Sequence, residues 1–106
     1  MKNTYIVVFV TTKDRKQAMK IADGLLREKL IACANIAGGV TSLFWWQGKV
    51  ERSKEVFLIL KTKKSLFKKM EIKIRSLHSY TTPEIIALPV IMGGKAYLEW
   101  INSSLK

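Results

Sequence analysis

The length, composition and charge of the chain exclude several classes of protein. Its 106 residues, 48% of them hydrophobic and 25% charged, suit one domain with a true core, predicted over residues 1–106. No apolar run reaches the ~18 residues of a membrane span. The early apolar run lacks the basic region and small-residue cleavage site of a signal peptide, and the single cysteine, Cys33, excludes an internal disulfide. We therefore predict a cytoplasmic protein with no membrane partner.

The net charge of +11, from 19 Lys and Arg against 8 Asp and Glu, has two interpretations. A lysine-rich surface can simply be solvated, or it can bind a polyanion. The basic residues are spread along the chain, with a mild concentration over residues 61–73. Net charge is a weak functional marker, so the sequence favours a solvated surface. A basic module that binds nucleic acid or another polyanion is kept as the alternative.

The first half of the chain predicts a strand, a helix and a second strand. A nearly continuous apolar run predicts a strand over residues 4–11, covered on both faces. Apolar steps of 3, 1 and 3 predict a helix over 14–29. Small residues predict a strand over 31–36, which Ala37-Gly38-Gly39 interrupts as a bend or bulge before it resumes toward Trp45-Trp46.

The second half predicts a long hairpin, a second helix and a last strand. Gln47-Gly48 is the turn, because glycine reaches positive φ without a Cβ penalty, and a strand from Lys49 to Lys61 follows. Apolar steps of 3, 4 and 3 predict a helix over residues 65–78. Pro89 argues that the strand over Glu84–Met92 is an edge or bulged strand. With a short terminal helix, the order β-α-β-β-α-β predicts a ferredoxin-like α+β fold, an antiparallel sheet with two helices on one face.

The Trp45-Trp46 pair beside the turn predicts contact with another chain. Adjacent strand residues point to opposite faces, so the two indoles cannot both enter one core. The open sheet face and the hairpin edges also need cover. Oligomerisation is the simplest source of that cover for so short a chain.

Motifs along nearly the whole chain resemble the CutA family of divalent-cation tolerance proteins. They occur in the family's order and spacing: Glu28 to Ile36, Ser42, Trp46-x-Gly48-Lys49, Lys61-Thr62, His78-x-Tyr80-x-x-Pro83-Glu84-Ile85 and Tyr97-Leu98-x-Trp100. The resemblance implies a tight homotrimer like that of PII signalling proteins, in which strands of the long hairpin pair across subunits. It also implies a link to copper and other divalent cations. We accordingly expect a trimer interface containing Phe44, Trp45, Trp46 and Trp100.

The chain departs from the family's pattern at several positions. The usual His-Pro-Tyr is His78-Ser79-Tyr80 here, and the usual tyrosine after Ser-x is Phe44, so a phenolic hydroxyl is missing. Family members proposed to bind copper can carry a Cys at the end of the first strand and a His-His pair. Those positions are Val10 and Leu77-His78 here, which leaves one ligand of that design.

His78 and Cys33 are the candidate metal ligands, for copper or another divalent cation. His78 is the only histidine, and imidazole is a good Cu²⁺ ligand. A helix-terminal histidine can instead interact with the last carbonyls of its helix. Cys33 could bind Cu(I), but a lone cysteine among alanines is usually a small core residue. The sequence favours the structural interpretation for both residues.

Trp46, Lys61, Tyr80 and Glu84 are the candidate ligand cleft. The resemblance places the corresponding positions near clefts between subunits. An ammonium, a carboxylate and an aromatic wall could hold a small anion or metabolite. The same residues could instead form salt bridges and aromatic packing that hold the trimer together, and the sequence does not separate the two interpretations.

Two other classes of protein share this order of elements. RNA-recognition modules carry a Lys/Arg-Gly-Phe-type motif, and the central strand at Val56–Leu60 lacks its glycine, so nucleic acid is not favoured. Acylphosphatase-like enzymes need a glycine-rich phosphate loop after the first strand, and Thr11–Asp14 contains no glycine. No triad or carboxylate pair appears, so no enzyme is predicted. The prediction is a homotrimeric divalent-cation tolerance protein, with weak metal binding or small-ligand sensing at intersubunit clefts.

Overall fold

The computed structural model describes residues 4–106, which form four strands and three α-helices. The predicted α+β class and element order are confirmed. The single domain predicted for residues 1–106 stays a prediction, and its first three residues lie outside the described part. The elements, in order, are β1 (Tyr5–Thr12), α1 (Arg15–Arg27), β2 (Cys33–Trp46), β3 (Lys49–Lys63), a 3₁₀ turn (Lys64–Leu66), α2 (Phe67–Leu77), β4 (Ile85–Pro89) and α3 (Lys95–Ser104).

All four strands join one antiparallel sheet in the order β2-β3-β1-β4. This order places the first and third strands at the centre, as in ferredoxin-like folds. β4 lies at an edge, which confirms the position that Pro89 indicated. Among residues 4–106, no helix combines the length and apolar character needed to cross a membrane.

The core lies between one face of the sheet and the two long helices. Every second residue is buried there from Ile6 to Val10 of β1 and from Leu58 to Thr62 of β3. The helices α1 and α2 contribute the apolar stripes that their spacing predicted. The apolar core residues are Ile6, Val8, Val10, Leu58 and Leu60 from the strands, with Ala18, Ile21, Ala22, Leu25, Met70 and Ile74 from the helices. The expectation that β1 is covered on both faces was wrong for the single chain. Tyr5, Val7 and Phe9 are only half-buried on its other face, because the two long helices pack on the core face and α3 contacts this one near the end of β3, where Lys63 Nζ donates to the Asn102 side chain.

Sheet pairing explains where two predicted boundaries moved. β4 ends at Pro89 rather than Met92 because its partner β1 begins at Tyr5, whose carbonyl accepts the last bond, from the Val90 N–H at 3.0 Å. β3 extends to Lys63 because Lys63 pairs with Tyr5.

The outer half of the hairpin, residues 40–55, extends beyond the body of the sheet, and we call it the arm. β1 pairs only with the part of β3 from Val56 onward, so the two arm strands pair with each other alone. A register shift between Ala37 and Val40 confirms the predicted bulge, where Gly39 adopts a φ of +74°. The arm carries exposed apolar side chains on both faces, Trp45 among them at 74% exposure.

Candidate functional site

A groove of about 980 Å³ lies where the arm meets the loop that follows α2. Residues paired across two strands share a face, so Ser42 with Ser53 and Phe44 with Glu51 form one wall. The loop at residues 79–82 and Glu84 form the other. Trp46 lines the groove and Trp45 does not, and because the two are consecutive residues of β2, their indoles point to opposite faces as predicted.

Tyr80 and Glu55 make the best-defined polar contact of the groove. The Tyr80 hydroxyl donates to Glu55 Oε2 at 2.7 Å, and Glu55 is only 8% exposed. Burial, followed by the hydrogen bond and the charge of Glu55, raises the pKa of Tyr80 to about 12. Tyr80 is therefore a neutral hydrogen-bond donor at physiological pH. The contact ties the loop to the base of the arm.

His78 ends α2 and orients the loop beside the groove. Its Nδ1 accepts the main-chain N–H of Tyr80 at 3.0 Å, and its Nε2 lies 2.7 Å from the Thr11 carbonyl oxygen. A carbonyl can only accept, so Nε2 carries the proton and both ring nitrogens are engaged. The ring packs on that of Tyr80 at a centroid distance of 4.7 Å. His78 thus has a structural partner in β1, a different carbonyl from those of its own helix that the sequence suggested.

Cys33 and Lys61 lie toward the other end of the sheet. They are directly paired on β2 and β3, with Lys61 Nζ 3.8 Å from Cys33 Sγ and hydrogen-bonded to Asn35. Tyr97 of α3 also belongs to this cluster. Burial, followed by the charge and the hydrogen bond of Cys33, raises the pKa of the Tyr97 hydroxyl.

The predicted site residues therefore separate into two groups. Trp46, Tyr80 and Glu84 line the groove together, whereas Lys61 lies outside it within one chain. Lys61 is six residues along β3 from Glu55, roughly 20 Å at 3.3 Å per residue. Cys33, which pairs with Lys61, is level with Val7 of β1, whereas His78 contacts Thr11, four residues or roughly 13 Å farther along that strand.

The two candidate metal ligands do not form a copper site within one chain. No cluster of three or more His, Cys, Asp or Glu side chains suited to a metal ion occurs among residues 4–106. Cys33 lies far from His78, and both nitrogens of His78 already have partners. A metal would have to displace one of those hydrogen bonds, and the chemistry of the donor set does not fit a resident copper ion.

The residues expected at a trimer interface are all exposed in the single chain. Phe44, Trp45 and Trp46 lie on the arm, and Phe44 also lines the groove. Trp100 lies on α3, where it packs against Tyr97 at 5.4 Å, away from the arm. Their role between subunits stays a prediction.

Glu55 is the groove residue that the sequence analysis missed. No alternation marked it, because every residue from Glu51 to Glu55 is polar. Pairing with β2 decides which of them share one face, and the structure places Glu51, Ser53 and Glu55 in the groove.

Known proteins resemble the chain over nearly its full length. The family model described as CutA1 divalent ion tolerance protein matches residues 6–104. Protein CutA 1, chloroplastic, of Oryza sativa subsp. japonica is 41% identical over 101 residues, which cover 95% of this chain and 57% of that protein. Divalent-cation tolerance protein CutA of Escherichia coli O81 is 45% identical over 103 residues, covering 97% and 92%.

A solved structure shows the same fold. The divalent cation tolerance protein Cut A1 of Thermus thermophilus superimposes with a TM-score of 0.94 at 39% identity, covering 96% of this chain and 99% of that one. The chain thus matches nearly the whole of these bacterial proteins, whereas it spans little more than half the length of the rice protein.

Proposed function

The chain belongs to the CutA1 divalent ion tolerance family, and from that premise we propose that it is a homotrimer that senses a small ligand as part of divalent-cation tolerance. The observation that carries the proposal is the groove itself. One of its walls is the arm, a segment that pairs only with itself within the chain. In the proposed PII-like trimer the groove lies at a subunit boundary, so ligand binding and assembly are linked.

The arm supports the assembly. An isolated two-stranded ribbon is marginally stable in water, and an exposed apolar ribbon is prone to aggregate. Leu43, Trp45 and Val50 are exposed on this ribbon. Packing against neighbouring arms buries these side chains and stabilises the ribbon. Trp46 and Phe44 then lie between the interface and the ligand.

The lining of the groove indicates the class of ligand. Three acidic residues, Glu51, Glu55 and Glu84, and one basic residue, Arg52, line the groove, while Lys61 lies elsewhere. This balance favours a neutral or cationic ligand over the small anion that Lys61 had suggested. An aromatic wall beside carboxylates suits an organic ammonium group. Copper, in this proposal, binds weakly and is not a resident ion.

We also propose a cytoplasmic location and a role without catalysis. The free thiol of Cys33 suits a reducing compartment. Tyr80 is held as a neutral donor to Glu55, a state suited to positioning a ligand rather than to exchanging protons with it.

Native mass spectrometry tests the assembly. We expect the wild type to be a trimer and Trp45→Ser to dissociate, while the matched control Ile72→Ser, which alters an exposed apolar residue on α2, stays trimeric. A monomeric wild type contradicts the assembly. With stoichiometric Cu²⁺, we expect equal uptake by wild type and His78→Ala; a fixed copper count that the variant loses would make metal binding the function instead.

A thermal-shift screen with amino acids and polyamines tests the groove. We expect a stabilising compound whose effect disappears in Trp46→Ala and persists in Lys61→Ala. A compound whose effect depends on Lys61 and not on Trp46 would place the ligand outside the groove and contradict this part of the proposal.

A further inference from the structure

The positive charge of the chain is concentrated on its helical layer. Residues 13–29 and 64–76 contain eleven of the nineteen basic residues and four of the eight acidic ones, a net charge of +7 out of +11. Along the sequence this asymmetry looks mild, because the two stretches are separated by most of β2 and β3. The fold brings them together.

Three contacts place α1 and α2 side by side and antiparallel. Lys73 Nζ lies 2.9 Å from Glu28 Oε2 at one end, and the Ser79 hydroxyl donates to the Gln17 side chain at 3.3 Å at the other. Between them, Gly24 approaches α2 so closely that an added Cβ would lie 3.1 Å from Leu77 Cδ1. The two helices therefore present one continuous outer surface.

The acidic residues of this layer neutralise little of that surface. Asp14 caps α1 by accepting the Gln17 N–H at 2.8 Å, and Asp23 pairs with Arg27 within the same helix. Glu28 is engaged with Lys73. Glu71 is the fourth acidic residue of the layer, and the exposed cations around it outnumber it.

Five exposed cations form what we call the basic helix face: Lys16, Lys20, Lys68, Lys69 and Arg75. By helical periodicity they lie on the sides of α1 and α2 that point away from the buried stripes. Within the described residues, none of the five has a carboxylate oxygen within 4.0 Å. Their charges are free to attract a partner.

We propose that the basic helix face binds the phosphate backbone of double-stranded nucleic acid without reading its sequence. Lys16 and Lys20 are one turn apart, about 6 Å along the axis, and Lys68 to Arg75 span about 10 Å on the neighbouring helix. Two adjacent rows of cations on this scale suit the rows of phosphates along a duplex. Backbone contacts alone supply affinity but no base selection.

The composition of the face favours a duplex over two other polyanions. Single strands are held largely by bases stacking on aromatic rings, and the five cations and their helical neighbours include no outward aromatic side chain. Anionic membranes require apolar anchors. Met19 and Leu26 are exposed but lie on the flank of α1 opposite α2, and Ile72 alone points outward among the cations.

Salt-dependent binding tests the proposal. Fluorescence anisotropy follows a labelled DNA or RNA duplex of about 20 base pairs between roughly 50 and 200 mM KCl. Neutralising five phosphates on DNA predicts a slope of log K against log salt of about −4.5, a loss of affinity of roughly 500-fold across that range. Binding of either duplex supports the proposal, and their comparison identifies the preferred helix form.

A matched pair of variants separates the face from net charge. Lys20→Gln/Lys68→Gln/Lys69→Gln and the control Lys54→Gln/Lys95→Gln/Lys106→Gln each remove three charges from exposed positions. We expect the face variant to lower the magnitude of the slope by about 2.7 and to weaken low-salt binding more than about tenfold. The control should weaken binding less than about threefold. Thermal melts check that both variants fold.

Three results would overturn the proposal. Equal losses in the two triple variants would assign the binding to net charge, and absence of duplex binding at roughly 50 mM KCl would remove it altogether. Tighter binding to a single strand, or to phosphatidylserine vesicles, than to the duplex would assign the face to that other partner.

Discussion

Tyr80→Phe should destabilise the protein by removing one hydrogen bond at the junction of the loop and the arm. The Tyr80 hydroxyl donates to Glu55 Oε2 at 2.7 Å, and Glu55 is 8% exposed. A hydrogen bond to a buried charged group contributes about 1.5–3 kcal/mol, and loss of the donor leaves the carboxylate buried without its partner. We expect the free energy of unfolding to fall by about 2 kcal/mol.

A double-mutant cycle in urea measures this contact directly. In a Glu55→Gln background the acceptor is neutral, so the cost of Tyr80→Phe should fall to about 1 kcal/mol or less. Protein concentration must be equal for all variants, because assembly contributes to apparent stability. Tyr5→Phe is the control: no hydrogen bond of that hydroxyl occurs among residues 4–106, and we expect a change within about 0.5 kcal/mol.

The same contact has a signature at high pH. The folded-state pKa of Tyr80 is raised from 10.0 to about 12, so its stabilising contribution is complete below pH 10 and is lost as pH rises through 12. The stability difference between wild type and Tyr80→Phe should therefore narrow across that window. A cost that is equal in both Glu55 backgrounds, or a difference that stays constant from pH 10 to 12, would refute this reasoning.

Three further predictions concern other parts of the chain. Thr62→Val removes a fully buried hydroxyl that donates to a main-chain carbonyl at 2.7 Å and should cost about 1–3 kcal/mol in urea unfolding. Gly39→Ala should destabilise by about 1 kcal/mol because its φ is +74°, whereas Gly38→Ala, which has no positive φ and meets open space, should be neutral or stabilising. Lys73→Met should raise the pKa of Glu28, which the hydrogen bond and charge of Lys73 hold below its usual 4.5, as followed by NMR titration.

Each of these has a contrary outcome that the same measurement detects. A Thr62→Val protein as stable as wild type would mean that the carbonyl finds another donor. Equal effects at the two glycines would mean that the backbone relaxes at the bulge. The lowered pKa of Glu28 stabilises the fold at pH values above the pKa of the unfolded state, and this stabilisation is lost as pH falls through the folded-state pKa. An unchanged Glu28 titration in Lys73→Met would mean that the ion pair does not cause the lowered pKa.

The fold was predictable because apolar spacing reports directly on burial. Of the apolar residues of α1 assigned to its stripe, Ala18, Ile21, Ala22 and Leu25 are its four buried residues, whereas Leu26 is exposed. Strand ends were less predictable, because they depend on partners. Pro89 terminates β4 only because β1 begins opposite it, a relation between residues more than eighty positions apart.

The candidate site was predictable in part, and the position of Lys61 outside the groove of the single chain has a geometric cause. Its residue type suited the proposed cleft, but its position along the sheet depends on the register of β3 against β1. Composition does not encode that register. Trp46, Tyr80 and Glu84 were easier to place together, because the turn and the end of α2, both visible in the sequence, bring them to the groove. The tautomer of His78 could not be predicted from the sequence either, because both hydrogen-bond partners of the ring are main-chain groups that only the fold brings to it.

The order of the sheet has a consequence for polymerisation. β2 and β4 are both edge strands, and the outer edge of β2 runs for fourteen residues, roughly 45 Å. Copies that add edge to edge either close into a ring or continue as a filament. The break in the ladder at Gly38-Gly39 interrupts this edge. Such bulges blunt edges against open-ended addition, so the bulge at these two glycines disfavours growth of a fibre along this edge.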